Sequence, residues 1–445
     1  MKKMLERDAR LLLPELMKRF YELELNTSRG GNISVRAQDG WWCTPSALDK
    51  ANMEPEDMMF LRDDGAVFGR NDVSLETYIH MNIQKYCDGR KAVVHVHDLP
   101  AIEFSVMHRP PRTDIYPTCL SGCEIPVTPF AVPGSQELAD TLVEAFNHTK
   151  SPCAILANHG MFIAEENLFR ALEALEAADF LCRTEQGAAA LGQLRSMPPD
   201  AAAKLARYRQ RKLPYREADG GDEAVLQVKR ELCTLSRRAY RKRLFSINGG
   251  TFAARAGEKG FVIAADDADR GNLSPEDFVY IHENTLPPGV QQPLHADFCR
   301  RVFDAYPAIE VITIAQPACA MIFACADVPF ESRVLPESFS KLRNAHYLPF
   351  GSLYLESEAD VANFDPAWGP ITIVENECIV CTSNRVFNAF ECCELVDEYA
   401  RIQMRIRQMN GRSISLTDEQ LRVVLDGEAH KAEVDLVRYS DRRSF

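Results

Sequence analysis

Three histidines sit where their side chains can meet. Ala92-Val93-Val94-His95-Val96-His97-Asp98 is a short apolar run carrying His-Val-His, and it reads as a buried strand. Side chains alternate along a strand, so His95 and His97 point the same way. Two such imidazoles are either ligands of one ion, as neutral imidazole is for zinc, or hydrogen-bonded core histidines. A third histidine favours the ion. Ala154-Ile155-Leu156-Ala157-Asn158-His159-Gly160 is a second apolar run ending in a histidine, and its glycine allows a tight turn. Glu76 lies upstream at the start of a helical stretch. Three histidines and one carboxylate make a sound zinc set. A carboxylate able to leave the ion opens a place for substrate.

The elements that must position these groups follow in order. Residues 5–24 read as an amphipathic helix. Thr27-Ser28-Arg29-Gly30-Gly31-Asn32-Ile33-Ser34-Val35-Arg36 places two glycines before an alternating strand, so the chain turns tightly there. Asp39-Gly40 signals a hairpin whose return strand ends at Thr44-Pro45-Ser46-Ala47. A helix is expected over 75–86 with Ser74 as its N-cap, which puts Glu76 and His80 on one face. Further helices are expected over 99–107, 135–147 and 167–191, with a proline-bearing loop over 108–123 that contains Tyr116.

Composition bounds the rest. The 445 residues suffice for two or three domains, and 46% hydrophobic content supports sizeable cores. A net charge of -13 argues against nucleic acid or an anionic membrane as partner, since both demand a basic patch. The charged start of the chain lacks an apolar signal core, and no run is long enough to span a bilayer. A cytoplasmic protein is expected, with its 14 cysteines reduced. Cys378-Ile379-Val380-Cys381 has no second pair to complete a zinc knuckle, so it reads as two core thiols, as do Cys392 and Cys393.

The chain repeats itself at a lag of 218 to 220 positions. Ser246-Ile247-Asn248-Gly249-Gly250-Thr251 echoes residues 27–32, Leu273-Ser274-Pro275-Glu276-Asp277 echoes 53–57, and Asn376 onward echoes Asn158 onward. A repeat of this length means a duplicated domain. Pro293-Leu294-His295 is set against Tyr78-Ile79-His80, Gln291 against Glu76, Thr313-Ile314-Ala315 against His95-Val96-His97, Glu377 against His159, and Thr251 against Asn32. The expected organisation is an intact domain over 1–194, a linker over 195–225, a degenerate copy without metal ligands over 226–410, and a tail over 411–445.

The first copy resembles the class II aldolase/adducin family, and within it the fuculose-phosphate aldolases. The likeness rests on Gly30-Gly31-Asn32-Ile33-Ser34, Thr44-Pro45-Ser46-Ala47, Pro55-Glu56-Asp57, 74–80, His95-Val96-His97, 125–130, 133–135 and Asn158-His159-Gly160, in order and spacing. The resemblance implies an α/β sandwich with a mainly antiparallel central sheet, duplicated here in tandem. It assigns one zinc per chain, or another divalent ion, to His95, His97 and His159. Glu76 falls on the acid/base that also binds the resting metal, and Tyr116 on an acid/base lent by a neighbouring subunit. Asn32, Ser46, Ala47 and Ser74 fall on a phosphate pocket. Ala47 stands where Gly is usual, and Leu75 where a second Ser is usual. A leucine donates no hydrogen bond, whereas Ser74 at a helix N-terminus still binds an anion.

The implied activity is that of a lyase, cleaving or forming a C–C bond next to a carbonyl in a small sugar or sugar phosphate. Zinc would stabilise the enediolate as a Lewis acid while Glu76 moves the proton. Sugar-phosphate epimerisation, dehydration or decarboxylation, and a non-catalytic adducin-like binding role, remain alternatives. The expected assembly is a homodimer with four domains in a ring, or a homotetramer. In an alternating ring the repeat sets Leu335 opposite Tyr116.

Overall fold

A computed structural model describes residues 1–216 and 222–427. They form two compact units. Unit 1 is Met1–Gln186 with Ser246–Asn248 and Asp267–Gly271; unit 2 is the remainder.

Unit 1 opens with helices α1 (Lys2–Leu5) and α2 (Ala9–Glu22). The single helix expected over 5–24 is therefore split, because Asp8 caps the second piece by accepting from the Arg10 N–H. Strands β1 (Asn32–Arg36), β2 (Gly40–Cys43), β3 (Met59–Arg62) and β4 (Val67–Phe68) follow. Then come α3 (Thr77–Tyr86), β5 (Ala92–Val96), α4 (Leu99–Met107), β6 (Val127–Thr128), α5 (Gln136–Thr149), β7 (Cys153–Leu156), β8 (Met161–Glu165) and α6 (Leu168–Ala189). The eight strands run β4-β3-β2-β1-β5-β8-β7-β6. All neighbours are antiparallel except β6 and β7.

β5 lies centrally, and all five of its residues are completely buried. Each large aliphatic side chain so buried stabilises by about 1.5–3 kcal/mol. The register sets His95 beside Asn32 of β1 and Phe162 of β8. Directly paired residues share a face, so these three belong with Val93, Ala154 and Ala164, the side packed by Ile79 and Ile83 of α3 and Leu138, Leu142 and Phe146 of α5. That face is where α3 begins, and it carries Glu76 to the sheet. The fold is thus α/β with a mainly antiparallel central sheet.

Unit 2 contains α7 (Ala201–Gln210), α8 (Glu223–Arg241), β9 (Thr251–Ala256), β10 (Gly260–Ala264), β11 (Phe278–His282), α9 (Ala296–Ala305), β12 (Val311–Ala315) and α10 (Ala318–Cys325). They are followed by α11 (Pro336–Leu342), β13 (His346–Leu348), β14 (Ile371–Val374), β15 (Cys378–Ser383) and α12 (Val386–Gln408). Its sheet runs β11-β10-β9-β12-β15-β14-β13, the order of unit 1 without a partner for β4.

The stretch expected as a linker is mostly structured. α7 buries Ala201 and Tyr208 in the core of unit 2, Tyr208 stacks on Tyr354 with centroids 4.7 Å apart, and the Leu213 N–H donates to Gln292 Oε1 at 2.7 Å. Its Pro, Lys and Arg content hid two anchoring residues. Gly220-Gly221 and 428–445 lie outside the described residues. A final helix over 418–427 opens with Thr417 and Gln420 exchanging hydrogen bonds, as a capping box does.

Sheet register also corrects the pairing of the two copies. Asn32 pairs with His95 in unit 1, and Thr251 pairs with Ile314 in unit 2. Phe162 pairs with His95, and Val380 with Ile314. The counterpart of His95 is therefore Ile314, not Thr313, and that of His97 is Gln316. A slip of one residue in a strand exchanges faces, and Ile314 is the one in the core cluster. Likewise the N-cap of α3 is Glu76 and that of α9 is His295. His295, not Gln291, stands at the place of Glu76. The match of His80 to His295 was a coincidence of residue type.

All 14 cysteines are free thiols, and 11 of them are buried. Among the described residues no helix is long and apolar enough to cross a membrane.

Candidate metal centre

β5 ends at Val96, so His95 is delivered by the strand and His97 by the residues just beyond it. His97 is steadied from the backbone, its N–H donating to Asn26 Oδ1 at 2.9 Å. His159 comes from the turn joining β7 to β8. In that turn Asn158, not the glycine, is left-handed (φ 58°). Gly160 is required for a different reason: a Cβ there would lie 2.6 Å from the Val96 carbonyl oxygen and 2.9 Å from His97 Cδ2. Any larger residue would push the turn off the histidines.

One ligand atom from each of His95, His97 and His159 lies within 4.8 Å of the other two. The Glu76 carboxylate joins them, with Oε1 3.5 Å from His95 Nε2 and 3.6 Å from His159 Nε2. Asn32 donates to the other oxygen, Oε2, at 2.7 Å. His95 is fixed by its second nitrogen, Nδ1, 3.1 Å from the Met161 carbonyl, and by Phe162 stacked at 4.2 Å. His95 Nε2 and His97 Nε2 are buried without a hydrogen-bond partner. Orphaned ring nitrogens aimed at one point, beside a carboxylate, fit a divalent ion.

Electrostatics agree. Burial holds His95 well below the ordinary imidazole range, helped by His97 and His159; burial also lowers His97 and His159. All three are therefore neutral at physiological pH, the form that donates a lone pair to a metal. His80 has another job. It is buried, its Nδ1 is 2.8 Å from Ser34 Oγ, and burial pushes it down to about 3.

The remaining predicted residues gather around Glu76 or stand apart. Asn32, expected in a phosphate pocket, spends its amide on Glu76. Ser74 is not the N-cap of α3: the helix begins at Thr77 with Glu76 as N-cap, and Ser74 Oγ accepts from the Glu76 N–H at 3.4 Å. The Ser46 N–H donates to the Asp72 carbonyl at 2.9 Å, two residues before Ser74. Ala47 is left-handed (φ 55°), a conformation that glycine adopts more readily. Leu75 is 80% exposed. Tyr116 lies on the 108–123 loop with its ring 5.0 Å from Phe180 of α6.

Ser105 on α4 escaped sequence reasoning. Its hydroxyl donates to the Leu156 carbonyl at 2.5 Å and accepts from the His159 N–H at 3.0 Å, clamping the turn that presents His159. His108 adds a contact to Asn158 Oδ1 at 2.7 Å. In unit 2 the Asn376 N–H still donates to Ala324, as Asn158 does to Ser105, but the hydroxyl is gone. Ser105→Ala is expected to weaken metal affinity by about 10-fold, the scale of a lost supporting hydrogen bond. A chelator-competition titration checks it; unchanged affinity means the backbone alone holds His159.

Among the described residues, His95, His97 and His159 form the one such group of metal-ligating side chains, and unit 2 shows no counterpart. Its matching positions carry His295, Ile314, Gln316 and Glu377. Glu377 accepts from the Gly351 N–H at 2.8 Å, and burial pushes its carboxyl up to about 7.

A family profile described as Class II Aldolase and Adducin N-terminal domain matches residues 12–186 and again 230–404. Over 152 residues the chain is 30% identical to the L-fuculose phosphate aldolase of Haemophilus influenzae, covering 34% of this chain and 69% of that protein. It is 32% identical to the 5-methylthioribulose-1-phosphate/5-deoxyribulose-1-phosphate aldolase of Rhodospirillum rubrum, covering 34% and 68%. A solved L-fuculose 1-phosphate aldolase aligns with a TM-score of 0.40 and 25% identity, over 45% of this chain and 96% of that one.

Proposed function

The chain belongs to the class II aldolase and adducin family, carrying its domain twice, and we propose that unit 1 is a metal-dependent aldolase acting on a small sugar or sugar phosphate. One observation carries this reading: His95, His97 and His159 converge within 4.8 Å beside Glu76. A zinc-class ion held there supplies Lewis acidity to a substrate carbonyl. The chain's own residues do the rest. The three neutral imidazoles add no negative charge, which leaves the ion strongly positive. In the cleavage direction the C–C bond breaks and the hydroxyl on the departing carbon loses its proton as the aldehyde forms. Glu76 returns a proton to the carbon left electron-rich, and takes one in the reverse direction. Asn32 holds the Glu76 carboxylate in reach. Tyr116, as its phenolate, would take up the hydroxyl proton if a second subunit lends it, and exchange with solvent returns that proton to Glu76 before the next turnover. The assembly proposed with this reading is a homodimer or a homotetramer, distinguished by light-scattering mass.

A screen of sugar phosphates and unphosphorylated ketoses for aldehyde release by the zinc-loaded chain tests the function. Release from at least one compound, abolished by a chelator, is the expected result. Metal binding without any cleavage would instead leave the unit as an epimerase, a decarboxylase or a binding module.

A further inference from the structure

His95 is oriented through its ring, by the Met161 carbonyl at Nδ1. His97 is not. Among the described residues its ring makes no hydrogen bond: Nε2 is orphaned, and a Cβ on Gly30 would lie 2.7 Å from Nδ1. Its direction is set from the main chain, where its N–H donates to Asn26 Oδ1 at 2.9 Å. Asn26 is buried beneath the left-handed Gly31 (φ 70°). A Cβ on Gly31 would collide with the Asn26 amide and lie 2.6 Å from the His95 carbonyl oxygen. One amide thus stands where the glycine loop meets the end of β5. Its Nδ2 is buried without a partner. An unmet buried donor costs stability, so burial alone favours an apolar residue here.

The second copy is the control. At a lag of 219, Gly250 answers to Gly31 and Phe245 to Asn26. Gly250 is again left-handed (φ 85°), and a Cβ on it would collide with the Phe245 ring. Phe245 packs on Phe252 with centroids 5.1 Å apart. β9 still pairs with β12 as β1 pairs with β5. The turn and the register therefore form without the amide. What unit 2 has lost along with it is the histidine, Gln316 standing at the place of His97.

We propose that Asn26 is a positioning residue of the metal centre: its carbonyl oxygen fixes the main chain at His97 and so aims that imidazole at the ion. The assignment rests on the metal reading of unit 1 and extends it to a residue outside the ligand set. An imidazole left free to swing must be ordered when the ion binds, which weakens binding. The fold does not need the amide, as Phe245 shows; the ligand does.

Two variants of nearly equal volume separate hydrogen bonding from packing. Asn26→Leu deletes the acceptor, and Asn26→Asp keeps it. Zinc affinity is measured for each by chelator competition, together with the visible absorption of the chain saturated with cobalt(II). Asn26→Leu is expected to bind zinc about 10- to 100-fold more weakly, with cobalt bands displaced from those of the unaltered chain. Asn26→Asp is expected to keep both affinity and bands. Unchanged affinity in Asn26→Leu overturns the proposal. So does an equal loss in both variants, which makes Asn26 a packing residue only. Should Asn26→Leu not fold, Asn26→Asp decides: retained affinity and bands uphold the acceptor, and their loss overturns it. Metal binding is read without turnover, so a chain that holds zinc but cleaves nothing defeats the aldolase reading and leaves Asn26 decided. An unaltered chain that binds no zinc defeats the metal reading and this proposal together.

Discussion

A chain carrying His95→Ala and His97→Ala is expected to purify without its divalent ion, against about one ion per chain in the unaltered protein. Elemental analysis after dialysis reads both. The expectation follows from unit 1 alone, because the four matching positions of unit 2 offer only His295 and Glu377 as ligand types. His295 Nδ1 is buried without a partner, and Glu377 is engaged by Gly351. Two ions per chain, or undiminished metal in the double variant, would place the site elsewhere. Removing two of three imidazoles also unloads the packing of Phe162, so folding must be confirmed by circular dichroism before metal loss is read as ligand loss.

Glu76→Gln is the second large effect. The amide is nearly the same size, and its carbonyl can still accept from Asn32, which now meets Glu76 at 2.7 Å. The three imidazoles remain, so most of the metal should stay. The amide carries no transferable proton at neutral pH, so turnover should drop by about 10²-fold or more. Metal content and single-substrate kinetics on one preparation separate the two roles. Normal turnover removes Glu76 from proton transfer; loss of metal in parallel makes it chiefly a ligand.

Much of this was legible because period-two alternation and residue type coincide in unit 1. His95 and His97 flank one valine, and the register confirms that His95 shares a face with Asn32 and Phe162. The duplication and the helix over Leu99–Met107 follow from the same pattern reading, whereas the fold class rests on the family resemblance. What stayed hidden depends on long-range contacts. Ser105 looks like any helix serine until Leu156 and His159 arrive from 51 and 54 residues away. α7 looked like a linker because the partners of Tyr208 lie far along the chain. Two pairings of the second copy fall out of step: at α9 the identity of a single histidine outweighs the core positions Phe298 and Val302, which repeat Ile79 and Ile83, and at β12 the lag of 218 that joins Asn158 to Asn376 is one residue short of the strand register.

The free thiols give the two units separate clocks. Buried thiols are unreactive until the structure around them opens. Cys43, Cys87, Cys153 and Cys182 belong to unit 1; Cys233, Cys299, Cys325, Cys378, Cys381, Cys392 and Cys393 belong to unit 2. Burial raises Cys153, Cys182, Cys378, Cys381 and Cys393 well above the ordinary thiol range, which slows them further. Alkylation followed peptide by peptide would therefore time the opening of each copy independently. Zinc should retard the first set of labels and leave the second running at its own pace, so a ligand for one half of a tandem chain can be tracked by the silence of its cysteines.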